Sequence, residues 1–156
     1  MSRRNISKKR FPNLDTKYDS HLVSLLIQRI LKSGKKTIAQ SIVNGAFEII
    51  KTRTKEDPLI IFEKAIRNAS PVVEVKVRRI GGSTYQVPIE LSSFRATNLA
   101  LRWLIKNSRN RTGRTMSVKL ASEIIDTAND IGNTIKQKEQ THRMAEANKA
   151  FAHFRY

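Results

Sequence analysis

Midway along the chain the spacing of apolar residues changes period twice, and this limits the fold more than any other feature. Before residue 70 and after residue 92, apolar side chains recur every three or four positions. Between them Val73, Val75 and Val77 alternate with Glu74, Lys76 and Arg78, and Tyr85, Val87 and Ile89 alternate with Gln86, Pro88 and Glu90. A period of 3.6 belongs to helices and a period of two to strands. Gly81 and Gly82 separate the two alternating runs, which predicts a β-hairpin set into a helical chain. A lone hairpin is marginal in water, so it must lean on the helices or on a partner. The expectation is a mainly α protein: six helices packed like a bundle, with a two-stranded β-hairpin arm between the third and fourth, at about residues 72–90.

The faces of the arm suggest a register. A two-residue loop at Gly81-Gly82 would set Val77 opposite Gln86 and mix apolar with polar side chains. A three-residue loop, Ile80-Gly81-Gly82, pairs Val77 with Tyr85, Val75 with Val87 and Val73 with Ile89, and keeps glycine at the left-handed position. Sequence patterning favours the second.

Helix boundaries are marked by caps and stops. The first helix begins at Asp19 or Ser20, carries Leu22, Val23, Leu26, Ile27, Ile30 and Leu31 on one stripe, and stops at Gly34. The second presents Ile38, Ile42, Ala46, Ile49 and Ile50 and ends in the polar stretch 51–56. Asp57-Pro58 opens the third, a capping carboxylate followed by proline in the first turn, with Leu59, Phe62, Ile66 and Ala69 inward. After the arm come helices at about Ser93–Asn110, Met116–Ile131 and Thr134 to near Ala152. The fifth buries Leu120, Ala121, Ile124, Ile125 and Ala128; the last is the most polar, with Met144, Ala147 and Phe151 inward. Trp103 and Phe62 are in phase with apolar stripes and read as core. Tyr85 fits either the core or a stacking role. Residues 1–18 read as a basic extension and 19–156 as a single helical domain.

Charge supplies the partner class. The 156 residues hold 30 Lys+Arg against 13 Asp+Glu, a net charge of +17. Like charges in that number repel in a compact chain, and a polyanion relieves the repulsion while releasing counterions. From Ser92 to Ser122 the basic residues are Arg95, Arg102, Lys106, Arg109, Arg111, Arg114 and Lys119, with no acid among them. Arg95, Arg102, Lys106 and Arg109 fall within about 60° on a helical wheel, beside an apolar face of Ala96, Leu99, Ala100 and Trp103. A merely solvated helix face mixes signs to gain i,i+4 pairs, and this one does not. Lys76, Arg78 and Arg79 extend the cations onto the arm, and Arg3, Arg4, Lys8, Lys9 and Arg10 onto the extension.

Other chemistry has little to stand on. Without cysteine there are no disulfides, iron–sulfur clusters or thiolate zinc sites, which suits a reducing compartment. No stretch approaches the ~18 apolar residues of a membrane span. The N-terminal decapeptide lacks the apolar core of a signal peptide, and no transit peptide is expected. The sequons at Asn5, Asn68 and Asn110 then read as chance triplets. His21, His142 and His153 are scattered and have no carboxylate cluster beside them for a metal. Ser33-Gly-Lys-Lys36 lacks the upstream glycine and the strand of a phosphate loop. No catalytic constellation and no cofactor site is expected. Three classes remain: an RNA-binding structural protein, an architectural DNA-binding protein with an inserted β-arm, and a nuclease. DNA-bending arms carry an apolar wedge at the tip, where this chain has Gly81-Gly82-Ser83 with only Ile80 nearby. A nuclease would need clustered carboxylates for metal ions.

Longer motifs resolve the choice. The runs Asp57-Pro-Leu-Ile-Ile-Phe-Glu-Lys-Ala65 and Glu74-Val-Lys-Val-Arg-Arg-Ile-Gly-Gly-Ser-Thr-Tyr-Gln-Val-Pro-Ile-Glu90, then Arg102-Trp-Leu104, then Thr141-His-Arg-Met-Ala-Glu-Ala-Asn-Lys-Ala-Phe-Ala-His153, occur in order along essentially the whole chain. They resemble the signature blocks of the bacterial-type family of ribosomal protein seven of the small subunit. The resemblance implies six helices with a β-ribbon arm, no enzymatic activity and no cofactor. It implies primary binding of the 3′ major domain of small-subunit ribosomal RNA and organisation of the subunit head. The expected neighbours are ribosomal proteins nine and eleven, the exit-site tRNA and the messenger exit path; no membrane is involved. The RNA-contacting set it implies is Arg3, Arg4, Lys8, Lys9, Arg10, Lys35, Lys36, Lys76, Arg78, Arg79, Arg95, Arg102, Arg109, Arg111, Arg114, Met116 and Lys119, with His142 and Arg143 nearest the tRNA. The implied location is the small ribosomal subunit in a plastid stroma or a bacterial cytoplasm; Lys, Ile and Asn usage leans toward an algal plastid gene.

Overall fold

The computed structural model describes residues 12–154. Six α-helices and one β-hairpin follow one another as α1 His21–Ile30, α2 Lys36–Thr54, α3 Pro58–Ala69, β1 Val73–Ile80, β2 Ser83–Glu90, α4 Ser93–Asn110, α5 Met116–Ala128 and α6 Asn133–Ala147, and a 3₁₀ segment, Lys149–Phe154, closes the described chain. The expected class and order of elements are those observed. Asp57 caps α3 by accepting a hydrogen bond from Leu59 N at 3.0 Å, with Pro58 in the first turn. Thr115 caps α5 through Val118 N.

Helix α5 lies in the middle of the bundle, packed against α2, α3 and α4. Its Leu120, Ala121 and Ile124 meet Phe47, Phe62, Leu101 and Leu104 in one continuous core. Phe47 and Phe62 stack at a tilt with ring centres 5.6 Å apart, and Tyr18 meets Phe47 edge-on at 5.0 Å. That last contact lies in sequence read as part of the basic extension. Asp15 is buried and its carboxylate accepts the backbone N–H groups of Lys17 and Tyr18, while Ser24 Oγ donates to Asn13 O. Residues 13–18 therefore fold onto the body, because one buried acid and one aromatic ring are enough to tie down a short segment.

Two expectations about inward faces and two about helix ends are corrected. In α2 the buried residues are Ala39, Val43, Ala46, Phe47 and Ile50, while Ile38 stands 54% exposed in the first turn, beyond the reach of the core. In α6, Met144 and Ala147 are exposed and Ile135 and Ala145 are buried. The helix ends at Ala147, earlier than the pattern indicated, and tightens into the 3₁₀ segment, which shifts the phase so that Phe151 and Phe154 meet the arm. Similarly α5 ends at Ala128, before Ile131.

The arm's register is the other correction. Ile80 pairs with Ser83, Arg78 with Tyr85, Lys76 with Val87 and Glu74 with Ile89, so the loop is the two residues Gly81-Gly82. Both glycines have positive φ, 56° and 90°, the turn whose twist matches that of paired strands. The mixed faces are tolerated because the inward polar groups are partnered. Buried Glu74 binds Arg95 at 3.2 Å and Lys76 at 3.6 Å, and Arg78 donates to the Phe154 carbonyl at 3.5 Å. Val77 points outward and is 68% exposed. Tyr85 packs between Phe151 and Phe154, with ring centres 5.4 and 5.2 Å away. It serves the fold as an anchor of the arm.

Candidate nucleic-acid interface

Helix α4 divides its surface sharply. Ala96, Leu99, Ala100, Trp103 and Leu104 are buried, while Arg95, Arg102, Lys106 and Arg109 are exposed on the opposite side. Of those four cations only Arg95 reaches a carboxylate, Glu74 at the base of the arm. Arg102, Lys106 and Arg109 have no ion-pair partner among the described residues, and they line a shallow cleft with Ile105 and Asn110.

The fourth cation of that cleft comes from another helix. Arg29 of α1 reaches over α4 and donates to Asn98 Oδ1. Burial, then the positive charge of Arg102, pushes its pKa below the usual arginine value. Its buried Nε has no acceptor among the described residues. Sequence reading left out Arg29 because it is a single cation on an otherwise apolar helix. Only the packing of α1 on α4 brings it to the row.

A second depression adjoins the first. Lys32 and Lys35 in the turn after α1, Arg109 of α4 and Met116 of α5 rim a floor formed by Ile38, Ala39 and Ile42. Arg109 belongs to both depressions. Lys36 is exposed at the start of α2, Arg114 is exposed in the loop before α5, and Lys119 is half-buried against Gly113.

Arg111 behaves differently from its neighbours. It turns into the protein, where it pairs with Glu123 and Asp126. Glu123 is fully buried and also accepts from Thr134 N and Thr134 Oγ1, and Asn107 donates to that same hydroxyl. Burial would lower the arginine pKa, but the bond to Asp126 and the charge of Glu123 outweigh it, and the value is raised. This network locks the ends of α4, α5 and α6 together. Arg111, expected among the RNA contacts, is committed to the fold.

On the arm, Lys76 and Arg78 are partly engaged by Glu74 and the Phe154 carbonyl, and Arg79 is exposed. His142 accepts a hydrogen bond from Val72 N at 3.2 Å through Nε2, and so ties α6 to the arm as a neutral ring. Burial, then Lys138, lowers its pKa. Arg143 is exposed, 3.9 Å from Glu139 one turn back. Arg3, Arg4, Lys8, Lys9 and Arg10 lie outside the described residues. Among the described residues no group of three acids or histidines could hold a metal, and no helix is long and apolar enough to cross a membrane.

Comparison with known proteins then decides the family. The profile described as ribosomal protein S7p/S5e matches residues 2–149. The chain belongs to the ribosomal protein S7p/S5e family. It is 78% identical over 144 residues to the small ribosomal subunit protein uS7c of Trieres chinensis, covering 92% of this chain and 91% of that one. It is 57% identical to uS7 of Arthrospira platensis and 53% to uS7 of Synechococcus elongatus, each over 156 residues and the full length of both chains. The S7p/S5e family is structural and non-enzymatic.

Proposed function

We propose that this chain is a structural constituent of the small ribosomal subunit, in a plastid stroma or a bacterial cytoplasm, that binds the 3′ major domain of the ribosomal RNA and organises the subunit head. The observation that carries the proposal is the row Arg102, Lys106 and Arg109, which has no carboxylate partner among the described residues of a chain that belongs to a ribosomal protein family. Cations without internal acids are matched by phosphates, and each neutralised phosphate releases counterions.

The proposed RNA face comprises Lys35, Lys36, Arg102, Lys106, Arg109, Arg114, Met116 and Lys119 on the body, Lys76, Arg78, Arg79 and Arg95 on and beside the arm, and Arg3, Arg4, Lys8, Lys9 and Arg10 before it. Arg111 is left out. Shape and backbone dominate recognition of this kind: a rigid body holding cations on several elements selects how RNA helices meet. Ribosomal proteins nine and eleven are the proposed protein neighbours. The side of α6 that exposes Arg143, with His142 beside it against the arm, is the part proposed to lie toward the exit-site tRNA and the messenger path.

Titration against a fragment of the 3′ major domain, with duplex DNA and an unrelated folded RNA as competitors, tests this. Preference for the fragment that weakens with salt, and that drops when Arg102 and Arg109 become alanine, is the expected result. Equal affinity for all three nucleic acids would reduce the surface to a general polyanion binder and reopen an architectural role on DNA.

A further inference from the structure

The cleft and its neighbour have the dimensions and the chemistry of a more defined site. The cleft is about 390 Å³ and presents four cations, Arg29, Arg102, Lys106 and Arg109, from two helices, with no acid in its lining. Holding Arg29 there is unfavourable in the free protein, since its guanidinium is partly desolvated, faces Arg102 and keeps one buried donor without an acceptor. A phosphate at that point would neutralise the facing charges of Arg29 and Arg102 and offset the desolvation of the guanidinium, whose planar fork suits such oxygens.

Past Arg109 the surface changes character without a break. The adjoining groove, about 300 Å³, has Ile38 and Ile42 as an apolar floor and Lys32 and Lys35 at its edge. Ile38, in the first turn of α2 and out of reach of the core, is left 54% exposed beside these lysines. An apolar surface ringed by lysines fits the face of a base whose sugar-phosphate chain is anionic. Continuity through Arg109 joins the two parts into one track.

From this juxtaposition we infer that the α1–α4 cleft and the groove beyond it form a site for one extruded nucleotide of an RNA strand, its phosphate between Arg29, Arg102 and Arg109 and its base over Ile38. The inference rests on the RNA-binding reading above and narrows it to a defined contact. Arg29 is the inner phosphate ligand, and Asn98 positions its guanidinium. Ile38 contributes contact to the base without charge.

The two parts make different demands on salt dependence, which allows them to be told apart. Full-length protein is titrated with the 3′ major-domain fragment between roughly 50 and 200 mM monovalent salt, comparing wild type with Arg29→Gln, Arg29→Lys and Ile38→Gln. Loss of one phosphate contact lowers affinity and reduces the log–log salt slope by about one, so Arg29→Gln should do both. Arg29→Lys should restore the slope while recovering only part of the affinity, since a point charge lacks the fork. Ile38→Gln should weaken binding severalfold, less than the loss of an aromatic stacking platform would, and leave the slope unchanged. Thermal melts establish that the variants are folded; Ile38 is exposed and Arg29 faces like charge, so unchanged melting is expected. Wild-type slope and affinity in Arg29→Gln, in a protein that still prefers the fragment, would overturn the nucleotide site and leave the RNA-binding reading standing. Wild-type affinity in Ile38→Gln would overturn the base contact and with it the site. Wild type with no preference for the fragment over the competitors would overturn the RNA-binding reading itself and this inference with it.

Discussion

Arg109 and Arg111 are two residues apart, have the same side chain, and do opposite things. Arg109 stands at the junction of two depressions with no acid beside it, whereas Arg111 is drawn into a network of Glu123, Asp126 and Thr134. The difference is set by which side of α4 each one leaves. Arg109 ends the exposed stripe of the helix, while Arg111 is the residue at which the chain departs, pointed toward the α5–α6 junction. One arginine leaves its charge available to a partner, and the other spends it on holding three helices together. A tally of basic residues treats them alike.

The largest expected effect tests the inner half of that comparison. Glu123→Gln removes the charge from a fully buried carboxylate and leaves the Arg111 guanidinium with Asp126 as its one acid, and should cost about 3 kcal/mol in urea unfolding. Arg102→Gln, by contrast, should stay within about 0.5 kcal/mol of wild type. Equal losses in the two would break the distinction between structural and available charge. Next comes the pair itself. Arg111→Ala should lower stability by roughly 3 kcal/mol because it leaves Glu123 buried and unpaired, whereas Arg109→Ala should lower RNA affinity and leave the melting temperature in place. At Gly132, with φ of 100° and a potential Cβ 3.3 Å from Asp126 Cβ, alanine should cost about 1–3 kcal/mol by straining the same junction. Calorimetry on Gly132→Ala beside Arg111→Ala would show whether the two losses are less than additive, as members of one network should be.

A smaller effect concerns pH. The folded chain holds the His142 ring below its ordinary pKa of 6.5, because burial and then Lys138 disfavour its charged form. A proton therefore prefers the unfolded chain. The ring's contribution is complete above about pH 6.5 and is lost as pH falls through the lower folded value. Protonation also removes the acceptor for Val72 N. The protection factor of the Val72 amide, its exchange rate corrected for the intrinsic pH dependence, should fall on acidification in wild type and stay flat across the same range in His142→Gln. The ring is largely solvent-screened, so the global change should be slight.

Much of this architecture was legible because it is local. Asp57-Pro58 announces a helix start within three residues, and the period of two at Val73–Ile89 needs no distant partner to mean strand. The unpaired stripe of α4 was equally visible, since spacing alone puts Arg102, Lys106 and Arg109 together. What escaped depended on tertiary neighbours. In the arm's register turn geometry outweighs apolar matching, and the ion pair that accommodates buried Glu74 comes from Arg95, on another element. The role of Glu123 is set by Thr134 and Arg111, 11 and 12 positions away along the chain and brought to it only by the packing of α4, α5 and α6. Arg29 was invisible for the same reason: its place in the cleft exists only once α1 crosses α4.

The attachment of the arm also bears on how the protein comes into being. Tyr85 is held by Phe151 and Phe154, Arg78 by the carbonyl of Phe154, and Val72 by His142 seventy residues downstream. Synthesis runs from the N-terminus, so the hairpin is complete long before any of these anchors has been made. The central helices can find one another first, but closing such distant loops is slow and comes late. Until residues 142–154 are released, the growing chain carries a finished ribbon tied to α4 by Glu74 and Arg95. The orientation of the arm is thus settled well after its strands have paired.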